Sequence, residues 1–229
     1  MHEEQHFSSP EFVRDIVIGM ADGLTVPFAL AAGLSGVVDT TGIILTAGIA
    51  EIAAGSIAMG LGGYLAGRTE IDHYKSELAR EYIEVDEFPE KEKAEVVEVL
   101  EEFGVSTKSS KEIVEEMSKD KDKWVKFMMR FELGLERPNE KRAAQSARNI
   151  GLAYIVGGLV PLTPYMFIDD SREALFISVG VTIAALFIFG FLKAKAIGQP
   201  AWSGAFKTTL IGALAAGAAF LIASLIGGH

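Results

Sequence analysis

Two carboxylates stand in stretches that are otherwise free of charge. Asp22 lies inside the apolar run Ile16 to Val38, and Glu51 lies inside Gly42 to Gly67. An ionised acid at bilayer depth costs roughly 2.5 to 3.5 kcal/mol on insertion scales, so it persists where it binds a cation, carries a proton or pairs with another polar group. Met59 follows Glu51 by eight residues. That spacing is about 80° around a helix, so both side chains can face one groove. A thioether beside carboxylates suits borderline transition metals better than Mg2+ or Ca2+. Five residues after Asp22 comes Pro27, which has no N–H for the helical ladder. The expectation is a bent or broken first helix whose carbonyls near Asp22 and Gly23 face a cavity or an ion. Glu11 and Asp15 sit near the end of that run, where they are ordinary hydrated charges or an entrance that attracts cations.

The elements that must carry these groups are membrane helices. The chain is 49% hydrophobic and 23% charged, and the two classes are segregated along it. Windows near 16–38, 42–67, 149–168, 174–192 and 208–228 are each long enough to cross about 30 Å of hydrocarbon. The expected fold is an all-α membrane protein of five transmembrane helices, with a three-helix cytoplasmic domain inserted between helices two and three. Of 21 basic residues only Arg172 falls on one side of such a layout, which places the N-terminus and the insert in the cytoplasm and His229 across the membrane. Met1 to Glu11 carries Glu3, Glu4 and Glu11 without Lys or Arg, so it lacks the basic region of a signal peptide and the first span is expected to be retained. Gly55, Gly60, Gly62 and Gly63 in span two, and Gly212, Ala216 and Gly217 in span five, favour close helix packing. Pro161 and Pro164 point to a bend in span three. The absence of cysteine excludes disulfides and thiolate ligands.

Three regions follow: 1–67 with spans one and two, an acidic insert over 68–148, and 149–229 with spans three to five. The insert holds 21 acidic and 16 basic residues, a net −5. Nothing interrupts span two before Phe88-Pro89, so the second helix is expected to run on into the insert and stop there. Pro89 opens the next helix, which ends near Gly104. Ser109 with Glu112 has capping-box spacing and opens a third, whose Trp124, Phe127, Met128, Phe131 and Leu135 form an apolar face, with Gly134 and Pro138 marking its end.

Within the insert, Glu81 and Glu84 are three apart on one helix, and Glu92 and Glu95 repeat the spacing on the next. Met128, Met129 and Glu132 share one turn of the third, so each set presents ligands from a single face. Such pairs also arise by chance in a chain this acidic, where they are solvated faces. Glu70 and His73 match the Glu-x-x-His of di-iron bundles, which need a second copy from another helix. The other histidines, His2, His6 and His229, supply none, so an oxidase is disfavoured and no cofactor is expected.

The run from Arg14 to Leu30, Arg-Asp-Ile-Val-Ile-Gly-Met-Ala-Asp-Gly-Leu-Thr-Val-Pro-Phe-Ala-Leu, resembles the first-helix signature of the vacuolar iron transporter family. The five-span layout with a long acidic insert is similar to it as well. The resemblance implies a homodimer in the vacuolar membrane that exchanges cytosolic Fe2+ for protons through a path between the subunits, not an enzyme, with no nucleic acid as partner. Zn2+, Co2+ and Mn2+ are alternative cargoes. Carried over by position, Asp22, Glu51 and Met59 match the intramembrane route, with Glu11 and Asp15 at its entrance. Glu81, Glu84, Glu92, Glu95, Met128, Met129 and Glu132 match the family's cytoplasmic metal-binding domain. The rival reading is a membrane-anchored metal buffer or sensor through which nothing crosses the bilayer.

Overall fold

The computed structural model describes residues 10–227; the expectations placed on His2, Glu3, Glu4, His6 and His229 fall outside them. Helices account for nearly all of it: α1 (Pro10–Ser35), α2 (Thr41–Glu87), α3 (Pro89–Glu102), α4 (Thr107–Met117), α5 (Lys121–Phe131), α6 (Arg142–Leu162), α7 (Ser171–Ala196) and α8 (Ala201–Gly227). A single 3-10 turn, Pro164–Met166, follows α6. The chain divides into two compact units, one of Ala66–Arg142 and one of the residues on either side.

Among the described residues, four helices are long and apolar enough to cross a membrane: α1, α2, α7 and α8. The third of the five expected windows is not among them. Its helix α6 opens with Arg142, Gln145, Ser146, Arg148 and Asn149, which lower its mean hydropathy, and ends at Leu162 rather than near 168. Pro164 has no N–H to continue the ladder, and the chain turns there instead.

In the larger unit α7 packs on α8, and both pack on α1. Glycines let α6 approach its neighbours closely. A Cβ on Gly23 of α1 would collide with the Tyr154 carbonyl oxygen and lie 3.0 Å from its Cα, and one on Gly60 of α2 would lie 3.0 Å from the Ala147 carbonyl oxygen. Gly62 and Gly217, by contrast, meet nothing within 4 Å, so the expected small-residue packing uses only some of the glycines. A core of Ala31, Ile44, Ile52, Leu162, Tyr165 and Ala174 joins α1, α2 and α7 to the end of α6. The Ser178 hydroxyl donates to the Pro161 carbonyl at 2.7 Å, tying α7 to the last turn of α6.

Pro27 does not break α1, contrary to expectation. The helix is continuous through it, and the Thr25 hydroxyl donates to the carbonyls of Ala21 at 2.9 Å and Asp22 at 3.3 Å. A side-chain donor thus serves carbonyls in the turn ahead of the proline, and Pro27 itself is buried.

The smaller unit holds the end of α2 with α3, α4 and α5, one helical segment more than expected. The anticipated third helix is two, divided at Ser118–Asp120, where the Asp120 carboxylate accepts from the Lys123 N–H and starts α5. The N-cap of α4 is Ser106, whose hydroxyl accepts from Ser109 N–H at 3.3 Å; Ser109 lies inside the helix. Gly104 and Gly134 adopt left-handed φ values of 84° and 64°, which end α3 and follow α5. The core is Val85, Val96, Val114, Trp124, Val125, Met128 and Met129. Phe131, expected on the apolar face, is 47% exposed and stacks at the rim on Phe127.

Candidate functional site

Each unit contributes one group of candidate residues. In the larger unit Glu51 and Tyr154 meet across α2 and α6: the tyrosine hydroxyl donates to Glu51 Oε1 at 2.5 Å. Glu51 Oε2 is buried and has no hydrogen-bond partner among the described residues. The contact requires Gly55, one turn along α2, where a Cβ would lie 2.5 Å from the Tyr154 ring. On its other side the Tyr154 backbone rests on Gly23, next to Asp22 in α1. Asp22 is half-buried and close enough to act electrostatically on the Tyr154 hydroxyl. Two acids and a phenol from three helices therefore share one neighbourhood, with one carboxylate oxygen unsatisfied. Such an oxygen is a candidate for a cation or a proton. Met59 is half-buried two turns further along α2.

Asp15 differs from its expectation as a hydrated charge, being 1% exposed. Ser146 Oγ donates to it at 3.1 Å and Asn149 Nδ2 at 3.5 Å, so the polar first turns of α6 satisfy it. Glu11 is exposed at the start of α1.

In the smaller unit Glu81, Glu84 and Glu92 each bring a carboxylate oxygen within 4.8 Å of the others, from α2 and α3. Glu81 and Glu92 are each 1% exposed, and Glu81 Oε2 has no hydrogen-bond partner among the described residues. Burial pushes the Glu81 carboxyl up to about 7, and the charges of Glu132, Glu92 and Glu84 add to the shift while Arg80 opposes it. Glu132, exposed as a whole residue, is likewise raised to about 7, first by desolvation of its carboxyl and then by Glu95 and Glu92, against Lys91. Glu92 is raised by burial and by Glu95. Carboxylates crowded in this way resist ionising together unless a proton or a cation compensates them. The cation supply nearby is modest: Lys91 reaches Glu95 at 2.9 Å and Glu92 at 3.5 Å, and Arg80 reaches Glu84 at 3.6 Å. Glu95 thus stands at the edge of the group, held by a lysine. Met128 and Met129 are buried in the hydrophobic core, 0% and 1% exposed, where they fill volume whether or not sulfur also faces the acids. His73 is near Glu77 at 3.9 Å and on none of these acids.

Tyr154 was not visible from the sequence as a site residue. The available signal was a tyrosine in an otherwise Gly- and aliphatic-rich span, which only the packing on Gly23 and Gly55 turns into a specific contact.

The family model described as the VIT family matches residues 13–224. The chain belongs to the VIT family. Membership agrees with the resemblance of Arg14 to Leu30 and extends it over almost the whole length. Among VIT relatives, a vacuolar iron transporter of Centaurea cyanus is 56% identical over 220 residues, covering 96% of this chain and 89% of that protein. Vacuolar iron transporter 1 of Arabidopsis thaliana is 52% identical over 225 residues, 98% of this chain and 90% of that one. Protein CCC1 of Saccharomyces cerevisiae is 37% identical over 226 residues, 95% and 70% of the two chains.

Proposed function

We propose that this chain moves Fe2+ from the cytosol into the vacuole in exchange for protons, as a homodimer whose path runs between the subunits. The observation that carries the reading is the buried, unpartnered Oε2 of Glu51 beside Asp22, in a chain whose relatives are named for vacuolar iron transport. α6 serves as the fifth span, and the basic residues keep the insert on the cytoplasmic side. An exposed apolar face on α2, with Ile43, Ile49, Ile57 and Leu61 each at least half exposed, supports burial against lipid or a second copy.

The insert captures the cation first. Glu81, Glu84 and Glu92 form the core of the capture site, with Glu95, Glu132, Met128 and Met129 around it, and their negative field concentrates divalent ions near the mouth. Glu11 and Asp15 receive the ion at the membrane, and Asp22, Glu51 and Met59, with their copies in the second subunit, hold it partly dehydrated in the span. Protons arriving from an acidic lumen neutralise Asp22 or Glu51 and weaken their hold on the cation, so iron leaves as protons move inward. Carboxylate and thioether ligands leave Zn2+, Co2+ and Mn2+ as competing cargoes.

Reconstitution in liposomes under a pH gradient tests this. Wild-type protein accumulates Fe2+ inside, and Asp22→Ala abolishes accumulation and the accompanying proton movement while the insert still binds metal. Metal binding by wild type without any internal accumulation would instead establish a buffer or sensor.

A further inference from the structure

The insert is acidic overall, yet one of its surfaces gathers positive charge. Lys75 of α2, Lys126 of α5 and Arg137 between α5 and α6 line a cleft of about 260 Å³ together with Tyr74, Tyr82 and Glu140. All three cations are exposed, and among the described residues none has an acid within salt-bridge distance or any hydrogen-bond partner. Elsewhere in the unit, Arg68, Arg80, Lys91, Lys93, Lys121 and Arg130 each pair with an acid. Lys108, Lys111 and Lys141 also lack an acid partner among the described residues, so what sets Lys75, Lys126 and Arg137 apart is that they line one cleft. Glu140 offsets one of the charges and Asp122, hydrogen-bonded to Tyr82 at the cleft wall, offsets a second, which leaves an excess of one positive charge. A concave surface focuses such a potential on whatever enters it.

The donor set favours phosphate. A guanidinium presents a planar fork to phosphate oxygens, and two ammonium groups supply point charges around it. Tyr82 is fixed as a wall, because its hydroxyl donates to Asp122 at 2.7 Å and its ring carries Lys121 at 5.3 Å. The position along α2 indicates where the phosphate comes from. Lys75 lies eight residues beyond Gly67, the end of the apolar run, on the same unbroken helix. That is about 12 Å of helix, within reach of the headgroup layer for a side chain that can lie back toward the interface. Basic residues just cytoplasmic of a span are attracted to anionic headgroups, which supplies the driving force.

We propose that this cleft binds the phosphate of an anionic phospholipid headgroup, with Arg137 gripping it and Lys75 and Lys126 on either side. The site is separate from the Glu81 group and does not depend on the transport reading.

Binding is measured on the purified full-length protein in detergent, by thermophoresis, with three probes: a short-chain phosphatidylinositol phosphate, a short-chain phosphatidylcholine and inorganic phosphate. The expected result is saturable binding of the inositol phospholipid, weakened by added salt, and none of the neutral lipid. Combined Lys75→Gln, Lys126→Gln and Arg137→Gln weakens it about tenfold or more, whereas Lys108→Gln with Lys111→Gln, on α4, leaves it unchanged. If the triple variant does not fold, Lys126→Gln alone still weakens binding severalfold. Equal affinity for wild type and the cleft variants, or no saturable binding at all, overturns the site. Inorganic phosphate binding as tightly as the lipid overturns the headgroup assignment.

Discussion

The Tyr154 hydroxyl donates to Glu51 Oε1 at 2.5 Å, and the other oxygen of the same carboxylate, buried, has no partner. One half of the acid is fixed and the other half is unsatisfied. Fixing one oxygen limits rotation of the carboxylate and aims the other. A hydrogen bond to a charged group contributes roughly 1.5 to 3 kcal/mol. Replacing Tyr154 by Phe keeps the ring that fills the space over Gly55 and removes only the donor. Fe2+ uptake into liposomes is expected to fall about tenfold at limiting metal, with the Tm changed little. Uptake curves that superimpose on wild type would show that the phenol does not orient Glu51.

Gly23 makes a sharper steric prediction. A Cβ there would collide with the backbone of Tyr154, and backbone cannot swing aside as a side chain can. Gly23→Ala is expected to push α1 from α6 and destabilise by about 1 to 3 kcal/mol, the range for overpacking. Gly62→Ala, where nothing lies within 4 Å, serves as the paired control and should leave stability near wild type. Thermal unfolding of the two variants in detergent checks this, and equal midpoints would contradict the close α1–α6 approach.

These examples show why some features were legible in the sequence and others were not. Asp22 and Glu51 stood out because a charge inside an apolar run is visible without knowing its neighbours. The helical, multi-span character followed from the same segregation of apolar windows. Tyr154 had no such mark, since its significance depends on which glycines of other helices it touches. Pro27 suggested a break because its missing N–H is a local fact, while the Thr25 hydroxyl and the tight burial that keep α1 continuous are not. At α4 the pattern Ser109 to Glu112 pointed to the wrong cap. Ser106 fits its extended backbone and reaches the Ser109 N–H, three residues on, with no glutamate at that position. Span three ends earlier than its hydropathy suggests because Pro161 sits in the final turn of α6 and Pro164 starts a separate one.

Met129 tests whether the buried thioethers of the insert are ligands or only packing. Leucine has similar volume, so Met129→Leu should cost less than about 1.5 kcal/mol. If sulfur meets the cation, the same change weakens binding of the borderline ions Co2+ and Zn2+ more than that of the harder Mn2+, because thioethers favour the softer ions. Calorimetric titration of the full-length protein with the three metals separates the cases. An identical affinity series in wild type and variant would confine Met129 to the core.

The crowded carboxylates make the insert respond to pH in a definite direction. The folded values of Glu81 and Glu132 lie near 7, above the ordinary glutamate value of 4.5, so between those limits the folded chain binds more protons than the unfolded one. Stability then falls as pH rises through this window, the reverse of a salt-bridged acid. Without metal, the full-length protein is expected to unfold at lower temperature at pH 8 than at pH 5.5, with Glu81→Gln flattening the difference because an amide has no charge to bury. Fe2+ competes with those same protons, so its stabilising effect should be largest above pH 7 and fade toward pH 5.5. Thermal melts across this range with and without metal measure both trends. A Glu81→Gln variant whose midpoint varies with pH as steeply as wild type would show that the burial of Glu81 is not the source.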